Sequence, residues 1–210
     1  MNLEFAILSF ASLFVIVDPI GLIPAFLAMT PQNTVNERIK MAALACAVSF
    51  MILLTCVLTG QMIFDVFSVT LPAFEIAGGI VLLLIGLDML QAKRTQVKET
   101  KEEQEEGIDK SDIAITPLAI PMLAGPGAIT TAILLNAQAV GISQKLILIT
   151  NVFMVCAVTF GILALTAIRS QTISVILLKI ITRLMGLVLT AIAVQFILNG
   201  VVQTMGLPPR

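Results

Sequence analysis

The sequence predicts an all-α membrane protein whose six transmembrane helices form two inverted three-helix repeats, with spans 1 and 4 broken near mid-membrane. The chain of 210 residues is 58% hydrophobic and only 12% charged, so a soluble fold would lack the polar side chains needed to cover its surface. Its apolar residues fall into six segments, each long enough to cross a hydrocarbon layer of about 30 Å as a helix. An internal repeat relates the first three segments to the last three.

The six segments define one transmembrane domain over residues 1–210. Repeat 1 covers about 3–91 and repeat 2 about 113–203, with a polar, mixed-charge loop at about 92–112 between them. The segments are 3–29, 41–60, 72–91, 113–137, 146–168 and 180–203.

Composition excludes several kinds of site. His is absent, which rules out imidazole metal ligands and His-based acid–base catalysis. The cysteines Cys46, Cys56 and Cys156 lie in apolar runs and are typical of small core residues. A net charge of −1 without a basic patch argues against nucleic acid as a partner. We therefore expect no enzymatic activity, no cofactor and no metal site.

The first span contains helix breakers at Asp18 and Pro19. Asp is a favoured N-cap, Pro is favoured at the first helical position, and Pro19 disfavours helical geometry at Asp18. These preferences predict a break at Asp18 and a half-helix from Pro19 to about Met29. Asp18 lies about 22 Å along a helix from Leu3, which places it within the membrane.

The fourth span contains a second breaker, Gly125-Pro126-Gly127, which predicts a half-helix running to about Ala137. If the repeats are inverted, the two half-helices point in opposite directions and their N-termini face the middle of the membrane. Free N–H groups and positive helix dipoles would then form a site for an anion such as a substrate carboxylate. In the alternative interpretation, these prolines only kink helices for packing.

Asp18 has several candidate roles, because a carboxylate at membrane depth is costly unless it is paired or protonated. It could bind a substrate ammonium group, bind a coupling cation, carry a proton, or only cap the half-helix. Thr130 and Thr131 could add hydroxyl ligands or bond their own helix. Glu75 and Asp88 are interpreted as interfacial charges, with a functional role as the alternative. The predicted substrate-binding residues are Asp18, Pro19, Gly21, Gly125, Pro126, Gly127, Thr130 and Thr131.

The repeat aligns the two halves without gaps at an offset of 107 residues. It matches Pro19 with Pro126 and Gly79 with Gly186, and pairs of Val and Leu residues follow the same offset. Three spans in each copy require the second copy to enter the membrane from the opposite side, which is typical of secondary transporters.

The distribution of Lys and Arg predicts the orientation. Ten of the twelve lie in the loops after spans one, three and five or, in the case of Arg183, at the start of the next span, and only Lys145 and Arg210 lie on the other side. The ten are expected to be cytoplasmic, which places both termini outside.

Three motifs in this order resemble the MarC family of bacterial membrane proteins, also called the neutral amino acid transporter family and similar to the wider lysine-exporter superfamily. The resemblance covers essentially the whole chain. The motifs are Val17-Asp18-Pro19-Ile20-Gly21 with Pro24, Pro117-Leu118-Ala119-Ile120-Pro121 with Ala124-Gly125-Pro126, and Arg183-Leu184-Met185-Gly186 followed by Gln195.

The resemblance implies a carrier of small neutral amino acids such as glycine and alanine in the bacterial inner membrane. Such a zwitterion suits the predicted site, with its carboxylate at the half-helix N-termini and its ammonium group at Asp18. The expected partners are lipid, the small-molecule substrate, a coupling ion (proton or sodium) and a second copy of the chain. A passive small-solute channel and a membrane protein without a transport role remain as alternatives.

Overall fold

The computed structural model describes residues 2–68, 70–90, 118–119, 122–169 and 175–205. The described residues form helices and no strands. The whole loop predicted at 92–112, the beginning of the fourth segment and residues 117, 120 and 121 of the second motif lie outside them. The helices are α1 (Asn2–Val17), α2 (Leu22–Met29), α3 (Val35–Phe67), α4 (Leu71–Leu90), α5 (Pro126–Gln138), α6 (Gly141–Arg169) and α7 (Val175–Thr204).

Among the described residues, four stretches are long and apolar enough to cross a membrane. They are Val35–Gly60, Leu71–Leu90, Gly141–Arg169 and Ile180–Thr204, and the apolar helix α1 is shorter. Many large apolar side chains on these helices are exposed, among them Leu58, Leu84, Leu165 and Leu187. In water such a surface would be unstable, and in a bilayer it matches the lipid chains.

Helix α3 begins earlier than the apolar segment at 41–60 indicates. Thr34 and Glu37 form a capping box, in which Thr34 N donates to Glu37 Oε2 (3.0 Å) and Glu37 N donates to Thr34 Oγ1 (3.4 Å). This reciprocal cap allows a polar first turn to continue directly into the span.

The half-helix α5 lies at the centre of the fold. Nine of its thirteen residues are buried, and it packs against α1, α3 and α4. Helix α6 packs against α1 and α3, and Asn151 of α6 donates hydrogen bonds to Ala6 O (2.8 Å) and Ser9 Oγ (2.7 Å). Asn151 therefore joins two helices, as expected of an amide side chain in an apolar segment.

Helices α4 and α7 form the most extensive helix pair. Gly79 faces Ala193, and Gly86 faces Gly186. Since the residue number rises along α4 as it falls along α7, the two helices are antiparallel. Their small residues allow close approach, because a Cβ on Gly186 would lie 3.0 Å from the carbonyl oxygen of Gly86.

Candidate functional site

The chain turns sharply between α1 and α2. Asp18 N donates to Phe14 O (3.0 Å), which completes the last hydrogen bond of α1. The backbone of Asp18 is then left-handed, with φ of +46°, a conformation that Asp tolerates better than most residues. Leu22 N donates to Asp18 O (3.1 Å) and closes the turn that contains the buried Pro19.

Because of this turn, the predicted start of the half-helix is wrong. The sequence predicts a helix from Pro19, whereas α2 begins at Leu22 with Gly21 as its N-cap residue. The left-handed backbone at Asp18 redirects the chain, so Pro19 serves the turn rather than the first helical position. The end of α2 at Met29 agrees with the sequence.

The carboxylate of Asp18 uses only one of its oxygens within the protein. Its Oδ1 accepts a hydrogen bond of 3.0 Å from Gly21 N. Its Oδ2 is buried and has no hydrogen-bond partner among the described residues, and the whole residue is only 6% exposed. Since an unpaired buried oxygen is costly, this atom is a candidate contact for a ligand.

Only glycine fits at position 21, because the carboxylate of Asp18 occupies the space where a side chain would begin. A Cβ on Gly21 would overlap Asp18 Oδ2 and lie 2.7 Å from Met89 Cε of α4. The glycine therefore leaves the space that the carboxylate occupies beside α4.

Helix α2 carries a compensating charged group near each end. Asp18 is the acidic group near its N-terminus. At its C-terminus, Nε and Nη2 of Arg38 donate to Thr30 O at 3.0 and 2.7 Å. Both charges have the sign that the helix dipole favours, so the first half-helix offers no free positive end to an anion.

No side chain caps the N-terminus of α5, whereas Asp18 bonds the amide of Gly21 just before α2. Gly125 is the N-cap residue in an extended conformation, and Pro126 occupies the first turn, as the sequence predicts. The first amides of an α-helix have no partner within it, so the buried Gly127 and Ala128 present N–H groups at a positive dipole end. This end of α5 suits an anionic group.

The two interruptions lie close to each other against α4. A Cβ on Gly127 would overlap Leu82 of α4 and lie 3.4 Å from Ile16 of α1. Ile16 precedes Asp18 by two residues, so the end of α1 packs beside the start of α5. Leu82 and Met89, which face Gly127 and Gly21, are two turns or about 10 Å apart along α4.

Thr130 and Thr131 follow the second interruption and are buried. Thr130 Oγ1 donates to Pro126 O (2.8 Å), and Thr131 Oγ1 donates to Gly127 O (2.9 Å). Both hydroxyl hydrogens therefore bond the first turn of their own helix, and only the lone pairs of these oxygens remain for another group.

An apolar groove of about 290 Å³ runs between α4 and the first turns of α5. Its lining contains few polar atoms, so it suits an apolar group beside the uncapped helix end. The lining residues are Phe74, Ala77, Gly78, Val81, Pro126, Ile129 and Thr130.

The family model described as "MarC family integral membrane protein" matches residues 3–205, nearly the whole chain. The chain belongs to the MarC family. The predicted resemblance is thereby confirmed, and both interruptions lie within the matched region of this family of integral membrane proteins.

MarC relatives occur in archaea and bacteria. A UPF0056 membrane protein of Methanocaldococcus jannaschii is 39% identical over 96% of this chain and 98% of its own length. The UPF0056 membrane protein YvbG of Bacillus subtilis is 37% identical over 95% of each chain. YhcE of Escherichia coli is 31% identical over 91% of this chain and 89% of its own. No solved structure matches the chain.

Sequence reasoning missed one buried polar contact. Glu75, interpreted as an interfacial charge, is only 5% exposed, and its Oε2 accepts a hydrogen bond of 2.9 Å from Gln203 Nε2 of α7. The spacing of Gln195, Asn199 and Gln203 is the signal that could have revealed it, because residues four apart share one face of a helix.

Proposed function

We propose that this MarC protein is a secondary carrier of small neutral amino acids in the cell inner membrane. The substrate ammonium group binds Asp18 Oδ2, and the substrate carboxylate binds the N–H groups of Gly127 and Ala128. The observation that carries the proposal is the unpaired, buried oxygen of Asp18, two residues after Ile16, which packs beside the uncapped N-terminus of α5.

The two interruptions differ in charge, which favours a zwitterion. Asp18 presents a negative group at the first, and Arg38 neutralises the far end of α2. At the second, the positive end of α5 has no side-chain cap. A neutral amino acid carries an ammonium group for Asp18 and a carboxylate for the positive end of α5, whereas a simple anion or cation could bind only one of the two.

The depth of the α5 half of the site supports transport rather than a surface role. Gly127 packs against Leu82, which lies near the middle of α4, a helix of 20 residues and of membrane-spanning length. Substrate sites of secondary transporters lie at this depth, at interruptions in helices.

We further propose six spans in two inverted repeats, with α1 and α2 as a broken first span and α5 ending a broken fourth. The packing of α4 and α7 supports this symmetry. The offset of 107 residues exchanges Gly79 with Gly186 and Gly86 with Ala193, so it maps one close helix contact onto the other. Six spans place both termini on the same side of the membrane, and the excess of Lys and Arg in the loops on the other side makes it the outer side.

The test is uptake and efflux of a panel of labelled amino acids in proteoliposomes, with and without proton and sodium gradients. We expect small neutral amino acids to be carried and acidic or basic ones to be excluded. Charged and neutral solutes passing at equal rates, without any effect of a gradient, would instead indicate a passive channel. No flux of any amino acid would contradict the proposal.

A further inference from the structure

The described residues contain a second buried carboxylate, which the proposed substrate site does not use. Glu75 lies one turn into α4. Besides the hydrogen bond from Gln203, its carboxylate interacts with the side chain of Asn199. Both partners belong to α7, so Glu75 connects the ends of the two antiparallel helices.

The partners of Glu75 differ in kind from those of Asp18. Asp18 accepts from the backbone amide of Gly21, which can only donate. A side-chain amide carries both an NH₂ donor group and a carbonyl acceptor. The NH₂ of Gln203 can therefore donate to a charged Glu75, and a half-turn of the same amide lets its carbonyl accept from a protonated Glu75.

Both protonation states of Glu75 can thus be hydrogen-bonded inside the protein, so neither leaves a buried polar atom unpaired. Helix α5, which also packs on α4, contains no charged residue. On α4 and α7, the other charged residues with described side chains are Asp88 and Arg183. Both are exposed, and each lies toward the end of its helix that is far from Glu75. Along α4, Asp88 is about 20 Å from Glu75.

The hydrogen bonds continue along α7. Gln195 Nε2 donates to Asn199 Oδ1 (2.7 Å), and Gln195, Asn199 and Gln203 follow one face of the helix. This polar stripe extends from Glu75 for about 12 Å toward the middle of α7.

We propose that Glu75, with Gln203 and Asn199, is the proton-exchange site that couples the carrier to a proton gradient. The carboxylate takes a proton from water on one side of the membrane and returns it to water on the other. Protonation removes the negative charge and leaves neutral hydrogen bonds, which are about half as strong as charge-assisted ones. The α4–α7 contact is therefore weaker in the protonated state. The coupling role rests on the proposed transport function, but the proton site itself can be tested without transport.

The first test follows the carboxyl groups of the purified protein by infrared difference spectroscopy during a pH titration. Exchange during transport requires a protonated-carboxyl band that appears reversibly as the pH is lowered. We expect Glu75→Gln to remove the part of this band that belongs to Glu75 and to leave the part that belongs to the buried Asp18, and Asp88→Asn, at the exposed acid of α4, to retain the whole band. In Gln203→Leu the band should move to higher frequency, because the protonated carboxyl loses its acceptor. A band that is absent, or that neither Glu75→Gln nor Gln203→Leu changes, would overturn the proposal.

The second test measures uptake driven by a proton gradient in proteoliposomes. We expect Glu75→Gln to lose at least tenfold of the gradient-driven accumulation while exchange of substrate at equal pH persists, and Asp88→Asn to retain both. Gradient-driven accumulation by Glu75→Gln at the wild-type level would overturn the coupling role. If wild-type protein carries no amino acid, the proposed function fails, and the infrared titration still decides whether Glu75 exchanges protons.

Discussion

At the scale of single residues, Asp18 has two separable properties. One oxygen and the left-handed backbone build the turn, and the other oxygen is unpaired. Asn shares the ability to accept from Gly21 N and to adopt positive φ. It differs in lacking the negative charge.

Asp18→Asn should therefore fold and lose transport, because a substrate ammonium group loses its ionic partner. Hydrogen bonds to charged groups contribute about 1.5–3 kcal/mol, so we expect at least a tenfold fall in substrate affinity. Binding of labelled alanine to purified protein measures this, with Asp88→Asn as the matched control. Wild-type affinity in well-folded Asp18→Asn protein would restrict Asp18 to capping the turn.

At the scale of helices, the sequence correctly locates the interruptions but not their geometry. The Pro and Gly preferences at Gly125 and Pro126 are local, and α5 begins there as expected. At Asp18 the same preferences compete with a left-handed turn in which the Asp18 carboxylate accepts from Gly21 N, so the sequence predicts the start of α2 three residues too early.

The difference in charge between the two half-helices depends on tertiary contacts. Arg38 belongs to α3, and only folding brings its guanidinium group to Thr30 at the end of α2. Glu75 and Gln203 are also far apart in sequence. A linear pattern can suggest that such groups face inward, but it cannot identify their partners.

The contact between α4 and α7 gives a prediction of stability. In Gly186→Ala the new Cβ would lie 3.0 Å from two backbone atoms, Gly86 O and Leu90 N. Because these atoms cannot rotate away, the helices must separate, and we expect a loss of about 1–3 kcal/mol.

Gly161→Ala is the matched control, because a Cβ there meets nothing within 4 Å. It should be neutral or stabilising by up to about 1 kcal/mol, since Ala favours a helix more than Gly does. Thermal unfolding in detergent measures both variants. Equal melting temperatures for Gly186→Ala and Gly161→Ala would contradict the close α4–α7 contact.

At the scale of the whole molecule, the ten-to-two distribution of Lys and Arg predicts the orientation. Phosphatase fused to either terminus should be active, because this reporter folds outside the cytoplasm. A fluorescent protein inserted in the 92–112 loop should be bright, because that loop is predicted to be cytoplasmic. An inactive phosphatase and a bright fluorescent protein at the C-terminus would contradict both the orientation and the six spans.

In the proposed mechanism, a zwitterion binds between the two interruptions and crosses the membrane with the conformational change of a carrier. Counterflow tests it most directly: proteoliposomes are loaded with unlabelled alanine, diluted, and supplied with a trace of labelled alanine outside. A carrier exchanges the two, so labelled alanine should transiently accumulate inside above its external concentration, and Asp18→Asn should abolish this. If labelled alanine only equilibrates, at the same rate in loaded and empty vesicles, the protein does not transport alanine as a carrier.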